Sequence, residues 1–456
     1  MFFEKTRWVT DKFILIMLGL FPLFVGFTPQ AYNHITEMKY NFFVIATTLW
    51  LAAVLVLVIL ALAKGEKYPV QVRPAHIAVA VFLALGAVSM LLSEHGFVCL
   101  KGADRNDGYL STLLYAVIFF GVSLFASPKP RYAWALGIST GICCAIALIQ
   151  RMGYDPLSFY PTGTNYFDKY GAYNGAFLGT IGNVGLLAAY LCISAPLLVE
   201  FGLLSKGKWD SFLLLPGVMA LIVLALCDVD AGVVALAGCL LVSVPMLIRS
   251  RQGSSIAAGI SGGMTLAGLG ALYFWPGQSG TLWELSQVLH GRLSDEFGSH
   301  RGQIWKNGWE LFRQKPWFGG GPGTTSLRFD ITWRRYVEAL GRERVVAVEN
   351  AHNVYLGYLI NWGIFALLSY LAAIVCSLVT WWQRRTEGTL YPALGSAFLC
   401  YMIQDFFGLG LPLTAPMIWV IWGLLESAPE KKEEEEEDDD DEPLTFVVAE
   451  IRDEYV

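Results

Sequence analysis

Charge is what this chain has least of. Only 15% of its 456 residues are Asp, Glu, Lys or Arg, against 55% hydrophobic, and the mean hydropathy is +0.50. So little charge cannot cover a water-facing surface, which excludes a soluble enzyme or a nucleic-acid-binding protein and implies a polytopic membrane protein. The formal net charge of -6 misleads, because ten acids form one run, Glu433–Glu442; without them 32 basic residues face 28 acidic ones. That run repels itself and is expected to stay extended and solvated, as a solubilising tail or as a docking segment for a cytoplasmic partner.

Other absences narrow the class further. The eight cysteines form no CxxC, and none lies in the long polar segment 276–352, so there is no disulfide framework and no zinc site; they read as small packing residues. No A-x-A-like site follows the first apolar run after Lys5, Arg7 and Lys12, so that run is expected to be a retained helix rather than a signal peptide. No internal repeat is evident, which disfavours the many transporter folds built from repeats. No Lys-Ser/Thr follows glycines 319–321 and Gly323, so this is not a phosphate-cradling P-loop. The sequence PWFGGGPG there is expected to stop a helix and to let the backbone approach a neighbouring element closely.

What is present is a series of apolar runs able to cross a core about 30 Å thick. They are 12–27, 41–63, 75–93, 109–126, 132–150, 177–203, 211–227, 231–248, 256–275, 353–381, 389–408 and 411–427. The expected fold is therefore all-α, with about twelve transmembrane helices and a long extracytoplasmic loop carrying amphipathic helices between the ninth and tenth. Basic residues in the short connections, among them Lys64, Lys67, Arg73, Lys129, Arg131, Lys206, Lys208, Arg384 and Arg385, fall on one side when the runs are threaded. That side is expected to be cytoplasmic, with both termini on it. Four parts follow: helices in 1–275, an outward catalytic loop over 276–352, helices in 353–427 and the acidic tail 428–456.

The outward segment carries ten basic and eight acidic residues and is too long for a plain connector. On a helix over 301–315, Ile304, Trp305, Gly308, Trp309, Leu311 and Phe312 share one face, suited to the membrane surface with tryptophan at headgroup depth. Arg301 sits in the middle of that face. It either snorkels back to water or sets its fork against a phosphate oxygen. His352 opens an apolar run, with Asn350 as the expected N-cap. The positive helix end there keeps the imidazole neutral, the state a general base needs, and Glu349 is placed to orient or oppose it. Asp228, Asp230 and Asp405 are placed at helix ends, either simply solvated or binding sugar hydroxyls.

These residues also carry a resemblance. Arg301 followed by Gly302, Gln303, Ile304 and Trp305, the Pro316–Gly323 turn, and Ala351, His352, Asn353, Val354, Tyr355 and Leu356 running into a helix resemble the O-antigen ligase and O-antigen polymerase superfamily. Gly179, Gly182 and Asn183 at the start of a span are similar to that family's outer-face Gly-Asn motif. The resemblance implies a bacterial cytoplasmic-membrane glycosyltransferase that moves a glycan from undecaprenyl diphosphate to an acceptor hydroxyl on the extracytoplasmic face. It implies inversion at the anomeric centre and no metal, nucleotide sugar or other cofactor. Its partners would be the lipid-linked donor, a glycan, lipid or protein acceptor, and the bilayer. By motif, His352 takes the acceptor proton and Arg301 neutralises the departing diphosphate, with Glu349 beside them. Asn183, Asn353, Trp305 and Asp230 are the expected substrate contacts. One departure stands out. Where family members carry a Ser-Arg pair at the eighth span, this chain reads Cys227-Asp-Val-Asp230-Ala-Gly, so either Arg292, Arg151 or another loop cation supplies the second cation, or the donor or the activity differs. The rival readings are a transporter or flippase of lipid-linked oligosaccharide, and a protein O-glycosyltransferase of the same superfamily. The transferase reading requires one outward cavity to bring His352 and Arg301 together.

Overall fold

The computed structural model describes residues 1–26, 34–68, 70–155, 157–159, 179–248, 250–337 and 342–429. Helices fall on the apolar runs. In the first half they are α1 (Phe2–Leu15), α2 (Ile35–Ala63), α3 (Pro74–Leu92), the short α4 (Val98–Lys101), α5 (Tyr109–Phe125), α6 (Pro130–Arg151) and α7 (Val184–Leu204). Then come α8 (Leu214–Leu226), α9 (Asp230–Leu247) and α10 (Arg251–Tyr273). The polar segment adds α11 (Thr281–Leu289), α12 (Phe297–Gln314) and α13 (Thr325–Arg328). The chain ends on α14 (Val354–Trp362), α15 (Ile364–Arg384), α16 (Leu390–Gln404) and α17 (Ala415–Glu426). Among the described residues, 7 helices are long and apolar enough to cross a membrane, and 3 shorter apolar ones, Tyr109–Phe125, Asp210–Leu226 and Ala415–Glu426, lie beside them.

Two features of the polar segment differ from the reading of the sequence. The first is an antiparallel hairpin of β1 (Thr332–Val337) and β2 (Arg342–Ala347), with Thr332 opposite Ala347 and Val337 opposite Arg342. A purely helical fold did not include it. Its strands hold Val337, Val345 and Val346 among several arginines, a β-branched content that favours pairing over helix. Secondly, the run 353–381 is two helices. Gly363 separates them with φ 84°, a left-handed backbone, and a Cβ there would collide with the Trp317 carbonyl.

α7 is the hub of the bundle. It is buried over most of its length and packs against α8, α9 and α16, while α3 lies on α15 and α5 on α17. In lipid the hydrophobic effect no longer drives helices together, so close packing and hydrogen bonds must hold them. Both are present. Trp362, Trp381 and Trp422 are fully buried. Gly86 leaves the room that the Trp362 indole fills, and that indole stacks on Phe82 with ring centroids 4.6 Å apart. Such aromatic pairs add about 0.5–1.5 kcal/mol each beyond their contact area. Polar links cross the same interior: Tyr190 hydroxyl lies 2.8 Å from Thr140 Oγ1, and Ser377 donates to Glu426 at 2.6 Å.

The turn at Gly319–Gly323 joins the polar segment to this bundle. Gly320 N–H donates to the Ile360 carbonyl at 3.0 Å and Gly321 N–H to that of Asn361 at 2.9 Å. Ile364 N–H donates back to the Pro316 carbonyl at 2.9 Å. A helix end leaves its last carbonyls without intrahelical partners, and here the turn supplies donors for those of α14. Gly319, at φ 68°, touches the backbone of Asn361 so closely that no side chain fits. The close approach expected of PWFGGGPG is thus made to α14.

Candidate functional site

α12 begins at Phe297, earlier than the pattern suggested, and its apolar face meets protein rather than only a membrane surface. Ile304 is buried in a small core with Ile331 and Val348. Gly308 lies against Leu356 and Ile360 of α14, and only Trp309 is left largely exposed, at 53%. Trp305 is the pivot. Its Nε1–H donates to the Ala351 carbonyl at 3.1 Å, and its ring meets Phe406 edge-on with centroids 5.8 Å apart. The residue just before His352 is therefore fastened to α12 one turn along from Arg301.

His352 does not lie within a helix. Asn353 is the N-cap of α14, accepting from Leu356 N–H at 2.9 Å, so the cap falls three residues later than Asn350. Asn350 instead accepts from the His352 N–H at 3.1 Å. This turn holds His352 at φ 47°, a left-handed conformation in which histidine is several-fold enriched. His352 is partly buried and lines a cavity open to solvent with Asp107, Ser111, Thr112, Thr325 and Asn361. Burial, and after it the positive fields of Arg301 and Arg105, pull the His352 pKa from 6.5 to about 4. The ring is neutral at pH 7, as expected, but burial and two arginines hold it so.

Arg301 borders a second cavity, also open to solvent, between α9, α11 and α12, with Asp230, Thr281, Glu284, Phe297 and Phe407. Burial lowers its guanidinium pKa and the Asp230 carboxylate raises it. Asp230 is itself held, accepting from Thr281 Oγ1–H at 3.1 Å. His352 and Arg301 thus occupy two neighbouring cavities rather than the single one the sequence required. The chain from 407 to 411 separates them: Phe407 lines the Arg301 side and Gly408–Leu411 the His352 side.

The remaining expected residues divide. Glu349 is half-exposed and accepts from Arg105 Nε–H at 2.5 Å, so its partner is an arginine of the α4–α5 loop. Asn353 lines the His352 cavity while its Oδ1 serves the helix cap. Asn183 has the same structural task, capping α7 by accepting from Leu186 N–H at 3.1 Å. Arg292 is exposed after α11, and Arg151 ends α6; neither lines the two cavities. The second cation felt by His352 is Arg105, which the sequence pattern had not marked.

Asp107 and Arg328 join the site unannounced, and Asp405, expected at a helix end, is buried there rather than solvated. Asp107 comes from the same loop as Arg105. Asp405 is buried next to α14, its carbonyl accepting from Val354 N–H at 2.9 Å and its Oδ1 without a hydrogen-bond partner among the described residues. Arg328, at the end of α13, has its pKa lowered to about 10 by burial and stays charged. It donates to Thr324 Oγ1 at 3.0 Å, to Asn361 Oδ1 at 2.5 Å and to the Ile360 carbonyl at 3.3 Å, clamping the glycine turn onto α14. The stretch Asp104, Arg105, Asn106, Asp107 before an apolar helix was the available signal for the first pair.

A bundle of apolar helices with histidine, arginine and carboxylates gathered at one end defines a membrane protein with a polar site at the mouth of the bundle. Residues 215–371 match the model of the O-Antigen ligase family, a span that includes Arg301, the glycine turn and His352, and this match supports the resemblance to the O-antigen ligase superfamily. The match points to membrane glycan assembly of the O-antigen ligase kind. No curated protein matches the chain.

Proposed function

We propose that this protein transfers a glycan from a polyprenyl diphosphate carrier to an acceptor hydroxyl at the extracytoplasmic face of a bacterial cytoplasmic membrane. The observation that supports the reading is the nearness of Arg301 to His352 across two adjoining cavities, although the single shared cavity expected from the sequence is not formed. The Trp305 contact to Ala351 fixes one against the other, and the field of Arg301 reaches the imidazole. In this reading the chain crosses the bilayer about twelve times with both termini cytoplasmic, 276–352 forms the outward catalytic part, and the acids after 428 lie inside.

The chemistry follows from the groups. The lipid-linked diphosphate enters the Arg301 cavity, where the guanidinium fork meets its oxygens. Its negative charge opposes the field of Arg301 and so raises the basicity of His352, which makes the base stronger once the donor is bound. His352 then takes the proton of the acceptor hydroxyl as its oxygen attacks the anomeric carbon from the side opposite the diphosphate. The new C–O bond forms as the old one breaks, the diphosphate leaves with the electron pair, and the anomeric centre inverts. A positioned base contributes about 10² to 10⁴-fold, and donors aimed at the developing charge add more.

Deleting the protein from its host and profiling carrier-linked glycan tests the reading. Undecaprenyl-diphosphate-linked glycan should accumulate, and the intact protein should relieve it. His352→Ala should not relieve it although it inserts normally, and Arg301→Lys should do so poorly, because a point charge does not reproduce the fork. Full relief by His352→Ala refutes the base assignment. Accumulation on the cytoplasmic instead of the outer leaflet favours the flippase reading, and an unchanged lipid-linked pool refutes both.

A further inference from the structure

The two cavities differ in chemistry, and that difference says more than the transfer reading does. The Arg301 cavity sets Ala231, Val234, Leu285, Phe297 and Phe407 around the guanidinium, and its two carboxylates are already engaged, Asp230 accepting from Thr281 Oγ1–H and Glu284 from Gly298 N–H. Such a setting suits a lipid-linked anion. The His352 cavity is different: beside the imidazole it presents the Asp107 carboxyl and the Thr112 hydroxyl, with Tyr358 and Trp362 as aromatic walls, while the Ser111 hydroxyl is bound to Asn106 and the Asn361 amide to Thr325 and Arg328. Carboxylate and hydroxyl groups set around aromatic surface match a saccharide, whose hydroxyls need both acceptors and donors while its C–H faces need apolar contact.

Asp107 is held in place by backbone rather than by a cation. Its loop is tied to the glycine turn, Ala103 N–H donating to the Gly323 carbonyl at 2.9 Å, and it is closed on itself by Gly108 N–H donating to the Lys101 carbonyl at 3.1 Å. On the side of the glycine turn the carboxyl is closely packed, since a Cβ on Gly102 or Gly323 would press on Asp107 Oδ1, and the residue also lines the cavity. The ion pair of the loop joins Arg105 to Glu349 instead. Burial raises the Asp107 carboxyl above its usual range, and its own backbone N–H and Arg105 offset this only in part. A carboxyl fixed at a cavity wall, with no ion pair of its own among the described residues, gains from a hydroxyl donor.

We propose that the His352 cavity binds the acceptor saccharide and that Asp107 orients it, accepting a hydrogen bond from a hydroxyl next to the one whose proton passes to His352. This assignment rests on the transfer reading above and adds the acceptor's chemical class and its place.

The test uses the full chain in lipid nanodiscs and two kinds of probe. Saturation-transfer NMR measures the methyl glycosides of glucose, galactose, rhamnose and N-acetylglucosamine, and native mass spectrometry measures undecaprenyl diphosphate. At least one glycoside should bind saturably. Asp107→Asn, nearly the same size, should weaken it about tenfold or more, as expected for a lost hydrogen bond to a charged group, and Asp107→Glu should weaken it less. Undecaprenyl diphosphate should bind Asp107→Asn as it binds the intact protein. Arg301→Ala should show the reverse pattern, with glycoside binding kept and lipid binding reduced. Equal glycoside binding by Asp107→Asn, or no glycoside binding by a protein that does bind undecaprenyl diphosphate, overturns the acceptor assignment. Failure of undecaprenyl diphosphate to bind the intact protein instead strikes the donor reading.

Discussion

Replacing Arg301 by Gln should make His352 easier to protonate, and the structure bounds by how much. Burial and the fields of Arg301 and Arg105, in falling order, carry the imidazole from 6.5 to about 4. Since burial is the largest of the three, removing Arg301 returns at most half of that distance, an upward move of about one pH unit, or about 1.4 kcal/mol of differential interaction. The assay is a pH titration of the histidine ring signals in isotope-labelled protein, with His352→Gln identifying the resonance. Undecaprenyl diphosphate added to the intact protein should move the same signal in the same direction, because the lipid anion opposes the same positive field. The sign also fixes a stability effect. A histidine whose folded pKa is depressed adds stability in full above its unfolded value of 6.5; that stability is lost as pH falls towards about 4, where the unfolded chain binds a proton that the folded one refuses. A His352 signal that stays in place in Arg301→Gln refutes the electrostatic link between the two cavities.

Two further substitutions probe the supports of the site. Asn353→Ala removes the side chain that accepts from Leu356 N–H, so the full chain should lose about 1 kcal/mol, read as a lower thermal midpoint in detergent; an unchanged midpoint means the cap is not needed. Arg328→Lys keeps the charge but cannot reach Thr324, Asn361 and the Ile360 carbonyl together, so protease cleavage within 316–331 should become at least several-fold faster, and unaltered cleavage argues against the clamp.

The membrane class and the helices were legible because hydropathy is a local property, readable in one run at a time. Arg301 and His352 stood out for a similar reason, as ionisable residues in otherwise apolar patterns, and the match over 215–371 includes both. What stayed hidden depends on distant contacts. Arg105 and Asp107 lie about 250 residues from His352 in sequence, and only the packing of the α4–α5 loop on the glycine turn brings them near. The hairpin 332–347 was missed because the segment was read for helical period alone. Asn353 illustrates a different limit: Asn350 and Asn353 are equally good caps by residue type, and which one serves is decided by a left-handed turn at His352 that pattern does not reveal. The chain's break at Gly363 was likewise concealed inside a continuous apolar run, since its cause is the Trp317 carbonyl rather than any neighbour in sequence.

The bonds between the glycine turn and α14 impose an order on biosynthesis. Gly320 and Gly321 leave the ribosome some forty residues ahead of Ile360 and Asn361, whose carbonyls they bind. Until then those N–H groups have only water or chaperones to satisfy them. The α4–α5 loop, made far earlier, also waits for Gly323 to tie down Ala103. Asp107, Arg301 and His352 therefore cannot come together while the chain is growing through its first ten helices. Assembly of the mouth is deferred until the short α14 has been delivered, so a nascent chain halted before that point carries the parts of the site but not the site.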